Sequence, residues 1–338
     1  MKAIIITAHG KVAVQDVTLP EMGPFESLVK IEACGLCGTT DRHLIEGCQA
    51  HHPSIWYPAL LGHESVGKVI KVGEKVKKYK IGDRVTRPVA IWPGTQKEGI
   101  YSAWGGFAEY GIVRDAAAAQ EKDDYTSARQ HVVPETISLE DAVLATSVSE
   151  VASWTEKLGN IQGKSLVIGG TGFAAATMCQ CAKMKGASHI IVLGRNPKKF
   201  KWAIQNGASH GVLLNQDMHA EIQKIIGSKA DWFLDAAGNQ EVFEAGIRLI
   251  KPGGNVAIYG APQGFSYQLP LGAVGGDFSV HYFSPMDDLF YHEICQRIIS
   301  GQLKAEWLRT HEWKGLESIH LALAEQAGGN VLKGLILI

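Results

Sequence analysis

Leu166-Val167-Ile168-Gly169-Gly170-Thr171-Gly172-Phe173-Ala174-Ala175 is the stretch that decides the fold. Leu166 to Ile168 is a short, unbroken apolar run, the pattern of a strand covered on both faces. It passes into G-x-G-x-x-A at Gly170, Gly172 and Ala175, and then into Ala176 to Lys185, which has helical spacing. Gly170 allows a tight turn, Gly172 removes a side chain where a pyrophosphate must approach the backbone, and Ala175 keeps helix and sheet close. The free N–H groups and positive dipole end of such a helix suit phosphate. The stretch therefore predicts a dinucleotide site at Gly170, Thr171, Gly172, Phe173 and Ala174; a glycine-rich turn without ligand is the plainer alternative.

Outward from it, apolar runs at Ser165 to Ile168, His189 to Leu193, Gly211 to Leu214, Asp231 to Leu234, Asn255 to Tyr259 and Phe278 to Phe283 alternate with helical segments. Several of those segments end in glycine, as at Gly186, Gly207 and Gly227. The alternation predicts an α/β unit with a parallel, doubly wound sheet. Residues 1 to about 145 read differently: β-branched runs such as Ser65-Val66-Gly67-Lys68-Val69-Ile70, broken by glycine and proline, predict short strands in a β-barrel-like unit. Residues 116 to 131 read as an exposed insertion or short surface helix. Val331 to Ile338 read as a strand that rejoins the first unit.

The next strand bears on which nicotinamide nucleotide is bound. A carboxylate at its end would accept hydrogen bonds from a ribose 2′-hydroxyl. The sequence there is Gly194-Arg195-Asn196-Pro197-Lys198-Lys199, with no acid. Gly194 leaves room, and Arg195 with Lys198 or Lys199 suits a 2′-phosphate through charge-assisted bonds. The reading favours NADP over NAD, against a merely basic, solvated helix start.

A second cluster is Cys34-Gly35-Leu36-Cys37-Gly38-Thr39-Thr40-Asp41-Arg42-His43, followed by Gly62-His63-Glu64. A lone C-x-x-C fits a redox pair or half of a structural zinc site. No second C-x-x-C completes a four-cysteine site. One thiolate with His63 and a carboxylate instead makes an open, catalytic zinc site. Cys34 reads as a packed thiol, and His51 and His52 as surface histidines. The six cysteines are too sparse for a disulfide framework and fit a reducing compartment.

With Cys37-Gly38-Thr39, Asp41-Arg42-His43, Gly62-His63-Glu64, Gly82-Asp83-Arg84-Val85, Gly105-Gly106-Phe107-Ala108-Glu109-Tyr110 and the glycine turn in this order, the chain resembles the zinc-containing medium-chain dehydrogenases, which include alcohol, polyol, threonine and glucose dehydrogenases. The resemblance implies a GroES-like β-barrel catalytic domain over 1–148, with 290–338 returning to it, and a Rossmann domain over 149–289. It implies a cleft between them. It also implies Cys37 and His63 as zinc ligands, Glu64 as a direct ligand or a residue beside the metal, and a proton relay through Thr39 (or Thr40) and His43.

Three departures from the family pattern stand out. One extra residue separates Thr39 from Asp41. The slot of the usual third ligand falls on Thr146, a poor zinc donor, while Glu150 lies one helical turn further on and is an alternative ligand. Pro88 to Gly106 has no cysteine, so one zinc per chain is expected, not two.

The implied activity is hydride transfer between nicotinamide and a secondary alcohol, polyol or sugar-type hydroxyl, or the matching ketone. Trp56, Tyr57, Ile91, Trp92 and Trp104 are candidates for the substrate wall. Rival readings are a zinc-free NADPH-dependent reductase of quinones or enones, and an inactive NADPH-binding protein of the same fold. A net charge of −1 gives no reason to expect nucleic acid or an anionic membrane as partner. No apolar run approaches a membrane span. A cytoplasmic homodimer or homotetramer is expected, paired through the strand near Asp277 to Phe283.

Overall fold

The computed structural model describes residues 1–47, 56–260 and 266–338. Cys48, His51 and His52 lie outside the described residues. The chain divides into two compact units, Met1–Ser147 with Tyr291–Ile338, and Val148–Phe290.

The second unit is built on a six-stranded sheet with every neighbouring pair parallel. Its spatial order is His210–Leu213, His189–Gly194, Ser165–Gly169, Ala230–Asp235, Ile250–Ile258 and Phe278–Tyr282. The chain starts in the middle, winds outward one way and then the other, the order of a doubly wound dinucleotide-binding sheet. Alternate residues serve opposite layers. Leu166, Ile168, Ile190, Val192 and Leu234 pack with Trp154 and Met178 on one face. Val167, Ile191, Leu193, Phe233 and Val256 pack with Ile222, Phe243 and Ile247 on the other. Strands covered on both faces need apolar side chains at successive positions, which is why they read as unbroken runs.

The first unit contains two sheets. One orders Lys11–Asp16, Lys2–Ala8, Ala59–Leu60, Ile100–Ser102 and Gln96–Lys97. The other is centred on the long strand Glu26–Leu36. Ser65–Val72 pairs with that strand antiparallel, bringing Ser65 opposite Cys34. Gly334–Leu337 pairs along its C-terminal half, with Gly334 opposite Leu36. One residue beyond these pairs stand Glu64 and Lys333, so the register delivers both to the end where Cys37 leaves the sheet.

Residues 116–131, expected as an exposed insertion or short surface helix, are exposed at 117 and 120–125 but do not form the helix. Their only helical element is the 3-10 turn Ser127–Arg129, and Ala116, Thr126, Ser127 and Gln130 are buried. The Gln130 side chain accepts from the Arg114 N–H at 2.8 Å and donates to the Arg87 carbonyl at 3.1 Å, stitching the segment to the sheet. Among the described residues, no helix is long and apolar enough to cross a membrane.

Candidate active site

Cys37 sits just past the central strand, and the short helix Thr40–Ile45 begins three residues later. The Thr40 N–H donates to the Cys37 sulfur at 3.4 Å. Asp41, wholly buried, accepts the Cys37 N–H at 2.8 Å through one carboxylate oxygen. Its other oxygen lies 3.3 Å from His63 Nδ1. That leaves His63 Nε2, 3.9 Å from a Glu64 oxygen, as the free face of the ring. A carboxylate behind one imidazole nitrogen is the usual way to fix the ring for a metal on the other.

Potential ligand atoms of Cys37, His63 and Glu64 all lie within 4.8 Å of one another, the one such cluster among the described residues. Thiolate, imidazole and carboxylate within this span match the donors and open geometry of catalytic zinc, and suit magnesium or calcium poorly. The residues present therefore fit the ion the resemblance implied. Burial alone would raise the Glu64 carboxyl; the Lys333 ammonium first and then His63 outweigh it and pull it down to about 2. Burial would lower His63, but Asp41 and Cys37 hold it well above the usual histidine range. Lys333 is buried and ion-paired to Glu64, whose charge raises the ammonium against the burial that would lower it.

Asp41 and Lys333 are the two residues that sequence reading did not assign to the site. Asp41 lay inside the quoted motif, and its role follows once it faces His63. The only signal for Lys333 was a single charge in the otherwise apolar run Val331 to Ile338.

The relay candidates differ in setting: Thr39 is exposed, and Thr40 and His43 are half-buried. Burial, then Arg42, pushes the His43 ring below the ordinary histidine range. Thr146 lies in the middle of the helix Leu139–Glu156, not near its start, and its hydroxyl donates to the Val143 carbonyl at 2.6 Å. Glu150, in the other unit, accepts from the Tyr259 hydroxyl at 2.9 Å. Of the aromatic candidates, Trp104 stands with its ring 5.3 Å from that of His63. Tyr57 donates to the Leu44 carbonyl at 2.5 Å and Trp92 to Asp124 at 3.0 Å, and Trp56 is exposed.

In the sheet unit, Gly170 has φ +125°, so the turn favours glycine there. A Cβ on Gly172 would meet nothing within 4 Å, leaving the start of the helix Phe173–Met184 open. Arg195 is exposed and stands 3.7 Å from Glu241. Lys198 is exposed and Lys199 half-buried.

Residues 23–123 match the family described as alcohol dehydrogenase GroES-like domain, and residues 175–281 that described as zinc-binding dehydrogenase. The chain is 28% identical to the NADP-dependent isopropanol dehydrogenase of Entamoeba histolytica, over 96% of this chain and 91% of that protein. It is 30% identical to the D-xylulose reductase of Saccharomyces cerevisiae, over 78% of this chain and 76% of that one. Benzyl alcohol dehydrogenase from Acinetobacter calcoaceticus, 22% identical, superposes over the whole chain and 99% of its own with a TM-score of 0.84, a likeness of fold.

Proposed function

Because the chain belongs to the zinc-containing medium-chain dehydrogenase family, we propose that it is an NADP(H)-preferring oxidoreductase acting on a secondary alcohol, polyol or sugar-type hydroxyl, or on the matching ketone. The observation that carries this reading is the Cys37–His63–Glu64 cluster, backed by Asp41. Zinc held by Cys37 and His63, with Glu64 beside it, would act as a Lewis acid on the hydroxyl or carbonyl oxygen of the substrate.

The chain's own residues supply the rest. Asp41 fixes the ring of His63 and the backbone of Cys37 together, so both donors stay in register. A Thr39 or Thr40 hydroxyl passes the substrate proton outward, and His43, its ring held below the ordinary histidine range by burial and then Arg42, accepts it close to solvent. Trp104 offers an apolar wall beside His63 for the carbon skeleton. Gly170, Thr171, Gly172, Phe173 and Ala174 receive the pyrophosphate. The NADP preference is supported by Gly194, Arg195 and Lys199 in place of an acid, and by the cofactor in the name of the Entamoeba relative. Glu150 is retained as an alternative donor to the ion. Pairing of two chains along Phe278–Tyr282, an edge strand with Val280 and Tyr282 exposed, would make a homodimer.

The test is metal analysis of the purified protein, with an activity screen of polyols, sugars and secondary alcohols using NADP+ and NAD+, with and without chelator. One zinc per chain and chelator-sensitive turnover are expected. A metal-free protein that reduces quinones or enones at full rate would overturn the reading. Sedimentation at a monomer's mass would overturn the dimer.

A further inference from the structure

Lys333 is the most deeply enclosed ammonium near the site, its side chain 3% exposed and that of its partner Glu64 5% exposed. Burying an ammonium costs several kcal/mol unless an opposite charge compensates it. The register of three adjacent strands puts it there: Gly334 opposite Leu36 and Ser65 opposite Cys34 bring Lys333, Cys37 and Glu64 to one end of the sheet.

The charges explain why a lysine belongs at this point. A metal-ligating cysteine is a thiolate. Cys37, Asp41 and Glu64 then bring three negative charges to one buried pocket. A divalent cation cancels two and the ammonium the third. Glu64 thus has two competitors for its carboxylate, the ammonium on one side and the metal seat on the other.

We infer that Lys333 is a positioning residue that holds Glu64 as an ion-paired neighbour of the metal seat, keeping a coordination position open for substrate. This rests on the reading of the cluster as a metal centre. Removing the ammonium frees Glu64 to become a permanent ligand and removes a positive charge that opposes cation binding. Lys333→Met should therefore hold a divalent cation more tightly, by about tenfold or more, because a like charge a few ångströms from the cation is removed, while turnover falls. A merely structural lysine would give the opposite sign, because a loosened site binds metal less well.

The test titrates chelator-stripped full-length protein with Co2+, reading affinity by chelator competition and ligand geometry from the visible d–d spectrum. Wild type and Lys333→Arg should give the same spectrum and affinity. Lys333→Met should give an altered spectrum and tighter binding. Glu64→Gln leaves the ammonium facing the cation alone and should weaken binding, and adding Lys333→Met to it should restore affinity. That neutral double variant keeps the test available if the single lysine variant fails to fold. A wild type that binds no Co2+ refutes the metal centre and this role with it. A wild type that binds normally, with Lys333→Met or the double variant showing no such gain, overturns the role of Lys333 alone.

Discussion

One carboxylate oxygen of Asp41 lies 3.3 Å from Nδ1 of His63, and the other accepts the Cys37 N–H at 2.8 Å. One buried acid thus orients both a nitrogen and a sulfur donor. Asp41→Ala should weaken zinc binding by about 10- to 100-fold, the usual effect of losing such a support. Chelator competition measures it. An unchanged zinc affinity would mean that the two donors hold their geometry without the carboxylate.

Gly35 precedes Cys37 by two residues, and its backbone N–H donates to the Glu64 carbonyl at 3.0 Å. A Cβ there would collide with the Glu64 carboxylate and press within 3.3 Å of the Glu64 Cβ and of Val143. The carboxylate cannot swing away freely, because Lys333 pins it. Gly35→Ala should cost about 1–3 kcal/mol by overpacking and lose more activity than stability. Thermal melts and kcat, compared on the same preparation, decide; an active, equally stable variant would show that Glu64 tolerates displacement.

Asp115 is buried and accepts three backbone N–H bonds, from Lys77 at 2.7 Å, Lys78 at 2.8 Å and Ala118 at 3.0 Å. Burial alone would raise its carboxyl, but the Lys77, Ala118 and Lys78 N–H groups together hold it below the ordinary aspartate range. A depressed carboxyl adds stability above its unfolded pKa, near ~4, and loses it as pH falls through the folded value. Asp115→Ala should therefore cost about 2–3 kcal/mol at neutral pH, with the gap to wild type narrowing in acid. Melting curves at pH 7 and pH 3 check the sign: a gap that is constant or wider in acid would refute it.

Arg195 and Glu241 are both exposed, with 3.7 Å between charged atoms, so their pairing contributes little and leaves the guanidinium free for a phosphate. Arg195→Leu should raise KM for NADP+ by roughly tenfold, about 1.4 kcal/mol, while changing KM for NAD+ little. Equal effects on both nucleotides would assign Arg195 a role unrelated to the 2′-phosphate.

The parallel sheet was legible because its strands are enclosed on both sides. Leu166 to Ile168 and Ile190 to Leu193 could be apolar throughout only there. The nearness of Cys37, His63 and Glu64 was legible too, because the family resemblance that the two motifs carry implied it. Lys333 was not, since its depth follows from a pairing between residues some three hundred positions apart, Leu36 with Gly334, which local pattern does not encode. Residues 116–131 are legible only in part: the charged stretch 120–125 is exposed, as its composition suggests, whereas Gln130 is buried because the backbone of Arg114 and Arg87 claims its amide.

The strand Gly334–Leu337 is translated after the whole nucleotide sheet, yet it brings the cation that balances the pocket around Cys37. At roughly 5–20 residues per second, a growing chain displays the thiol and Glu64 for many seconds before Lys333 leaves the ribosome. During that interval the thiol and the acids around it lack the ammonium that balances them in the finished protein.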